Sequence, residues 1–354
     1  MGSIRFLLAF SVLILHSSPI AGIRLLPGET AVRTFYIISG FYMTLIFSTK
    51  YASATRPYYS FITNRWLRLY PPYLVVVLLI GVLSVAYGIW LGSFGKIQYY
   101  LDWYRQVPES LSSLLTVLFF NISLIGQDWI TFFLIDENGH LQFMGLVSEI
   151  KLQELLFVTI AWTVAVEFFF YLLTPLIANR GIRVVLYWLA AVVALRLFLF
   201  LVFDVGGHLG IYRFAPTELM WFLMGMLSYK LYEMKWLPGA THGLFYLTIF
   251  LISFFSFPLV KSEWLVFAIA FIFMPAVFYR FSGNKYDRYL GELAFPMYIS
   301  HMLFLMVVNA NRFPKPFGPG LPLFVLTFVF SLIFVKYFLN PLNRYWERRL
   351  KVLG

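Results

Sequence analysis

The stretch Arg5-Phe-Leu-Leu-Ala-Phe-Ser-Val-Leu-Ile-Leu-His16 holds a cation, ten residues of which only Ser11 is polar, and then a histidine. A helix rises about 1.5 Å per residue, so eleven steps lift His16 about 16 Å above Arg5, near the middle of a roughly 30 Å hydrocarbon core. An imidazole at that depth is costly and marks a functional site by default. Two plainer readings stay open at this point. One is a cleavable signal peptide ending in the small residues of Ser17 to Gly22, although the apolar segments that follow then have no partner. The other is a histidine merely satisfied by a neighbouring carbonyl.

Working outward, the whole chain has the same character. Of its 354 residues 61% are hydrophobic and only 12% are charged, and the mean hydropathy is +0.80, far from a soluble domain. Cysteine is absent, which excludes disulfides, thiolate metal sites and a cysteine-bound acyl intermediate. The net charge of +11 sits mainly in short loops between apolar runs, so membrane topology accounts for it better than nucleic acid does.

Apolar helices are expected at roughly 5–23, 30–49, 72–92, 156–178, 183–203, 214–235, 242–260, 264–281, 289–310 and 321–340. An eleventh run, Leu111 to Gly126, is shorter and interrupted by Ser112, Ser113, Asn121 and Ser123. If it does not span, Lys50, Arg56, Arg65, Arg68, Arg180, Arg183, Lys230, Lys235 and the basic tail share one side with Arg5, and the positive-inside rule makes that side the cytoplasm. The expectation is therefore an all-α polytopic transmembrane helix bundle of about ten spans. It forms a single domain over residues 1–354 with no soluble domain appended, both termini cytoplasmic, and a re-entrant or surface-lying segment at 111–126.

Several polar residues fall inside the expected spans. Glu167 and His301 lie at a depth similar to His16, and an imidazole beside a carboxylate in low dielectric is how a general base is tuned. Arg196 reaches the same depth and is either part of that chemistry or a structural counter-ion of Glu167. Ser39 and Gly40 supply a hydroxyl and a close helix contact, or only packing. After the second span, Arg65 and Arg68 are three apart, so on a helix they share a face. Pro71 and Pro72 are expected to end that helix as the next span begins. Paired guanidiniums bind phosphate bidentately and suit an anionic nucleotide-like donor, or they anchor the helix at the interface.

The order of these features resembles the acyltransferase 3 family of membrane O-acyltransferases. It is carried by Arg5-x10-His16, Ile38-Ser39-Gly40-Phe41, Arg65-x-x-Arg68 before Pro71, and Trp162-Thr163 through Glu167 to Tyr171. Arg213-Phe214 to Phe222-x-x-Gly225-Met226 and Gly291-Glu292-Leu293-Ala294-x-Pro296-x-Tyr298-Ile299-x-His301 continue it. The resemblance implies acyl transfer from cytoplasmic acyl-CoA, usually acetyl-CoA, to a hydroxyl of a surface glycan, glycolipid or secreted small molecule. It implies His16 as the essential histidine and Arg65 with Arg68 as the donor-linked pair. With the residue reading, it gives His16, oriented by Glu167 or by another polar group, as general base or acyl carrier, with Arg5, Ser39, Arg196, Tyr298 and His301 in support. The acceptor enters on the opposite side, near Arg24, Arg33 and Arg213. Acyl-CoA is a co-substrate; no permanently bound cofactor, no metal and no nucleic-acid partner is expected. The setting is an integral membrane protein of a bacterial inner membrane. A flippase for lipid-linked glycan, needing polar groups at mid-membrane as well, and a structural partner in polysaccharide export are the rival classes.

Overall fold

A computed structural model describes the chain except residues 21, 24, 146–151, 204–211, 311–317 and 354, and the side chains of 131, 203, 310 and 347–353. Among the described residues it is all-α apart from one short hairpin. The helices are α1 (Gly2–Leu15), α2 (Gly28–Ile46), α3 (Pro57–Leu91), α4 (Gly95–Gln106), α5 (Leu111–Ser123), α6 (Trp162–Ile177), α7 (Ile182–Phe203) and α8 (Ala215–Glu233). They continue with α9 (Gly243–Phe255), α10 (Glu263–Phe281), α11 (Lys285–Ala310), α12 (Gly320–Phe334) and α13 (Asn340–Leu353). The hairpin pairs β1 (Phe133–Ile135) with β2 (Leu141–Phe143), Phe133 facing Phe143 and Ile135 facing Leu141. Its turn is closed by Asp136, whose carboxylate accepts from the amides of Asn138 and His140, both at 2.9 Å.

Every expected apolar run coincides with a helix, but their lengths differ. Among the described residues six helices are long and apolar enough to cross a membrane: Gly28–Tyr51, Pro57–Leu91, Ile182–Val202, Glu263–Phe281, Lys285–Asn309 and Gly320–Trp346. Gly2–Leu15, Trp162–Ile177 and Ala240–Phe255 are apolar but shorter. The eleventh run forms α5 and stops at Leu124, whose φ of 65° breaks the helix. α5 turns Ser113, Leu114, Val117 and Asn121 inward while Leu115 and Phe119 are exposed. The most apolar windows of α3 and α7 are only 22% and 17% buried, whereas that of α2 is 83% buried. Exposed Leu78, Val82, Ile89, Leu197 and Leu201 are costly in water and suit lipid. This is an integral membrane protein.

Two expectations about α1 and α3 are corrected. The first span does not run on to residue 23; α1 ends at Leu15, and His16 follows it as the C-terminal cap. Pro71 and Pro72 do not end a helix, since both lie inside the 35-residue α3. Proline costs hydrogen bonds to Leu67 and Arg68 carbonyls, but its fixed φ is helical, and spanning helices tolerate it. Trp66 stacks on Tyr70 at 4.5 Å and packs on Phe168 at 4.8 Å, bracing the turn that lost those bonds.

The chain forms two compact units. The first comprises Met1–Arg65, Phe170–Val192 and Leu219–Gly354. Within it α1 packs on α2, α11 and α12, and α10 on α2 and α9. Phe10 meets Phe324 edge-on at 4.9 Å, over a core of Ala9, Leu13, Ala294, Met297 and Leu323. α2 and α8 approach closely at Gly40 and Gly225. A β-carbon on Gly40 would lie 2.0 Å from the Phe222 carbonyl oxygen, and one on Gly225 2.0 Å from that of Ile37. The close contact expected of Gly40 is therefore present, and Gly225 is its other half.

The second unit comprises Trp66–Phe169 and Val193–Glu218. Its core of Leu114, Val117, Ile130, Ile135, Leu152, Leu155 and Leu156 is organised around Asn121. The Asn121 amide donates to Tyr100 Oη, Val117 O and Leu155 O, each at 3.0 Å, and its oxygen accepts from Phe157 N at 2.8 Å. One side chain thus satisfies backbone groups at the end of the short 3-10 turn Gln153–Leu155.

Candidate active site

α1 and α11 both run away from the end where Gly2 meets Asp287 and Gly291, and they carry His16 and His301 to the same place. The two imidazole rings stack with centroids 5.3 Å apart and planes 30° from parallel. Stacking matters chemically because the lone pair and the N–H of an imidazole lie in the ring plane. Stacked rings therefore do not satisfy one another, and their edges are left for other groups. His301 is fully buried, and neither of its ring nitrogens finds a hydrogen-bond partner of good geometry. The adjacent Ser300 hydroxyl is likewise buried without a partner. Buried polar atoms held in poor hydrogen-bond geometry cost stability, which sets this cluster apart from ordinary apolar core. Tyr298 completes it, its ring 6.1 Å from His301 and edge-on.

His16 itself is half-buried at the end of α1 rather than fully buried in the middle of a long helix. The expectation of a buried mid-span imidazole fits His301 instead. The difference arises because α1 ends at Leu15 and the chain then turns through Ser17 and Ser18. The Ser17 hydroxyl donates to Leu13 O, and the Ser18 hydroxyl accepts from Gly320 N.

The arginines separate into distinct environments. Arg65 is buried; it donates to Asn64 Oδ1 at 2.9 Å and toward Met43 Sδ at 3.6 Å, and lies over the Phe61 ring, while its Nε has no partner. Arg68, one turn on along α3, is exposed. The pair is therefore not a uniformly aqueous face. Arg5 sits over Phe35 at 5.0 Å with its Nε unpartnered. Arg33 is buried, ion-paired with Glu29 and placed over Trp221 at 5.2 Å. Arg213 lies over Trp162 at 5.1 Å. Arg24 lies outside the described residues.

In the second unit Arg196 donates to Thr217 O at 3.1 Å and comes within 3.6 Å of the fully buried Glu218. Sequence reasoning missed Glu218 as its partner because an arginine's reach across helices leaves no periodic signal. Glu167 is buried in the same unit, and Ser39 is buried in the first. Among the described residues no three His, Asp or Glu converge as a metal ion requires.

Residues 2–336 match the family model Acyl_transf_3, described as an acyltransferase domain. The chain belongs to this acyltransferase family. No curated protein and no solved structure matches it. The matched region takes in the His16–His301 stack, Arg65 and Arg68, so every expected site residue of this membrane acyltransferase lies inside its family domain.

Proposed function

We propose that this acyltransferase moves an acyl group, acetyl in the first instance, from cytoplasmic acyl-CoA to a hydroxyl of an extracytoplasmic glycan, glycolipid or secreted small molecule. The observation that carries the reading is the His16–His301 stack, two imidazoles brought face to face from α1 and α11 inside an acyltransferase domain. The acceptor oxygen attacks the thioester carbonyl while His16 takes the hydroxyl proton. The C–S bond then breaks, and the proton passes to the leaving thiolate of CoA. Alternatively His16 first takes the acyl group and passes it to the hydroxyl, releasing CoA before the second step. His301 holds the ring plane of His16, and Ser300 and Tyr298 line the same place on α11.

Arg65 is the donor-binding residue of choice, a buried guanidinium held by the neutral groups of Asn64 and Met43 with its Nε–H unpartnered. Arg68 extends the cationic face for phosphate. Glu167 is proposed as a carboxylate required for turnover, and Arg5, Ser39 and Arg196 as supports. Ten spans, both termini in the cytoplasm of a bacterial inner membrane and one membrane domain over the chain complete the proposal. On that topology Arg24, Arg33 and Arg213 lie on the acceptor side.

The test is release of free CoA by purified protein in detergent, given acetyl-CoA and candidate glycans. His16→Gln keeps much of the side-chain volume but cannot act as a base near neutral pH. The expected result is loss of CoA release with unchanged thermal stability. Full activity in that variant overturns the proposal, and no CoA release from the wild-type protein with any acceptor favours a transporter.

A further inference from the structure

The stack depends on where α1 sits along α11, and the structure assigns that setting to one residue outside the stack. We propose that Asp287 is a positioning residue that fixes the axial register of α1 against α11 and so brings His16 over His301. This rests on the catalytic reading of the stack given above.

The first turn of a helix leaves its N–H groups without intrahelical partners. α1 has no side-chain cap of its own from Met1. Its amides are instead satisfied from another helix, 285 residues away in sequence for Gly2. Asp287 Oδ2 accepts from Gly2 N at 2.9 Å and from the Met1 amine at 2.7 Å, and Oδ1 accepts from Ser3 N at 3.0 Å and from the Ser3 hydroxyl. A carboxylate at a helix N-terminus is also favoured by the helix dipole.

The backbones at this anchor leave no slack. A β-carbon on Gly2 would fall 1.7 Å from the Asp287 carbonyl oxygen and 2.7 Å from Gly291 N, and one on Gly291 would fall 3.0 Å from the Gly2 α-carbon. From the anchor, the two helices count off the same length. Gly2 to His16 is fourteen residues and Asp287 to His301 is fourteen residues, about 21 Å along each axis at 1.5 Å per residue. Both helices start at one level and carry a histidine to one level. A slip of one residue moves His16 by about 1.5 Å and turns it by about 100° away from His301.

The chain contains no cysteine, which permits a test that reads geometry without reading activity. In the full-length protein in detergent, His16→Cys with His301→Cys is cross-linked by a short bifunctional thiol reagent, in the presence and absence of Asp287→Ala. The expected result is a severalfold slower cross-link in Asp287→Ala and a near-normal rate in Asp287→Asn, whose side-chain oxygen still accepts from the α1 amides. With both histidines intact, Asp287→Ala is expected to lower kcat by up to about a hundredfold, the cost of an ångström-scale misplacement, with the KM for acetyl-CoA unchanged. If Asp287→Ala does not fold, Gly2→Ala serves, since its β-carbon pushes α1 off the same anchor. An unchanged cross-linking rate in whichever variant folds overturns the register proposal whatever the activity. Slower cross-linking with full kcat supports the register role and overturns the catalytic reading of the stack.

Discussion

Replacing Gly225 by alanine puts a β-carbon 2.0 Å from the Ile37 carbonyl oxygen, 2.7 Å from Phe41 N and 2.9 Å from the Ile37 carbonyl carbon. Ordinary contact begins near 3.4 Å, so α2 and α8 must part by about 1.4 Å, the difference between 3.4 and 2.0 Å. The obstructing atoms are backbone, and no side-chain rotation relieves them. Parting the helices opens a gap beside Ile37, Phe41, Trp221, Phe222 and Met226, all buried, and a gap of 0.5–1 Å already forfeits roughly a quarter to a half of each dispersion contact. In a membrane, packing of this kind is the main force between helices. Overpacking of this size costs about 1–3 kcal/mol. Gly40→Ala meets the Phe222 carbonyl oxygen at the same 2.0 Å and demands the same separation. The two changes are therefore expected to be sub-additive, with a coupling of roughly 0.5 kcal/mol or more. Thermal unfolding of both single variants and the double variant in detergent measures this, each single variant melting several degrees below wild type. A Gly225→Ala protein melting with wild type, or strictly additive losses, refutes the close-contact argument.

His301→Phe keeps a ring to stack on His16 and is expected to retain much of the CoA release, whereas His301→Ala removes the stack and is expected to lose it; full turnover in His301→Ala would remove His301 from the site. Arg65→Ala is expected to raise the apparent KM for acetyl-CoA roughly ten- to a hundredfold, from the roughly 1.5–3 kcal/mol of a hydrogen bond to a charged group. Because Arg65 is buried and Arg68 exposed, Arg65→Ala should also lower Tm and Arg68→Ala should not, which thermal shift checks. Burial pushes the Asp128 carboxyl, in the turn after α5, up to about 6 from 3.8. A folded value above the unfolded one means that this group's contribution to stability is fully present below about pH 4 and is lost as pH rises from about 4 to 6, about 3 kcal/mol at 1.4 kcal/mol per unit. Asp128→Asn is expected to flatten that slope in Tm against pH, and an unchanged slope would assign it to another group.

What the sequence determined by itself was whatever is encoded locally. Runs of apolar residues dictate helices because each backbone bond in lipid must close within its own segment, and every expected run formed one. The acyltransferase family was legible in motif order from Arg5-x10-His16 to Tyr298-Ile299-x-His301, and the family domain covers residues 2–336. What it left to the tertiary structure was every choice of partner. His16 and His301 are 285 residues apart, and only the packing of α1 on α11 brings one ring over the other. Arg196 meets Glu218 and Arg33 meets Glu29, while Arg65 and Arg68, identical in the pattern, part into buried and exposed. Even α3 runs through Pro71 and Pro72, since the packing of Trp66, Tyr70 and Phe168 outweighs a local breaker. Hydropathy sets which segments enter the membrane, but it does not vary with axial register or rotation. Those are fixed by close backbone approach at Gly2, Gly40, Gly225 and Gly291, and by which buried donor reaches which acceptor.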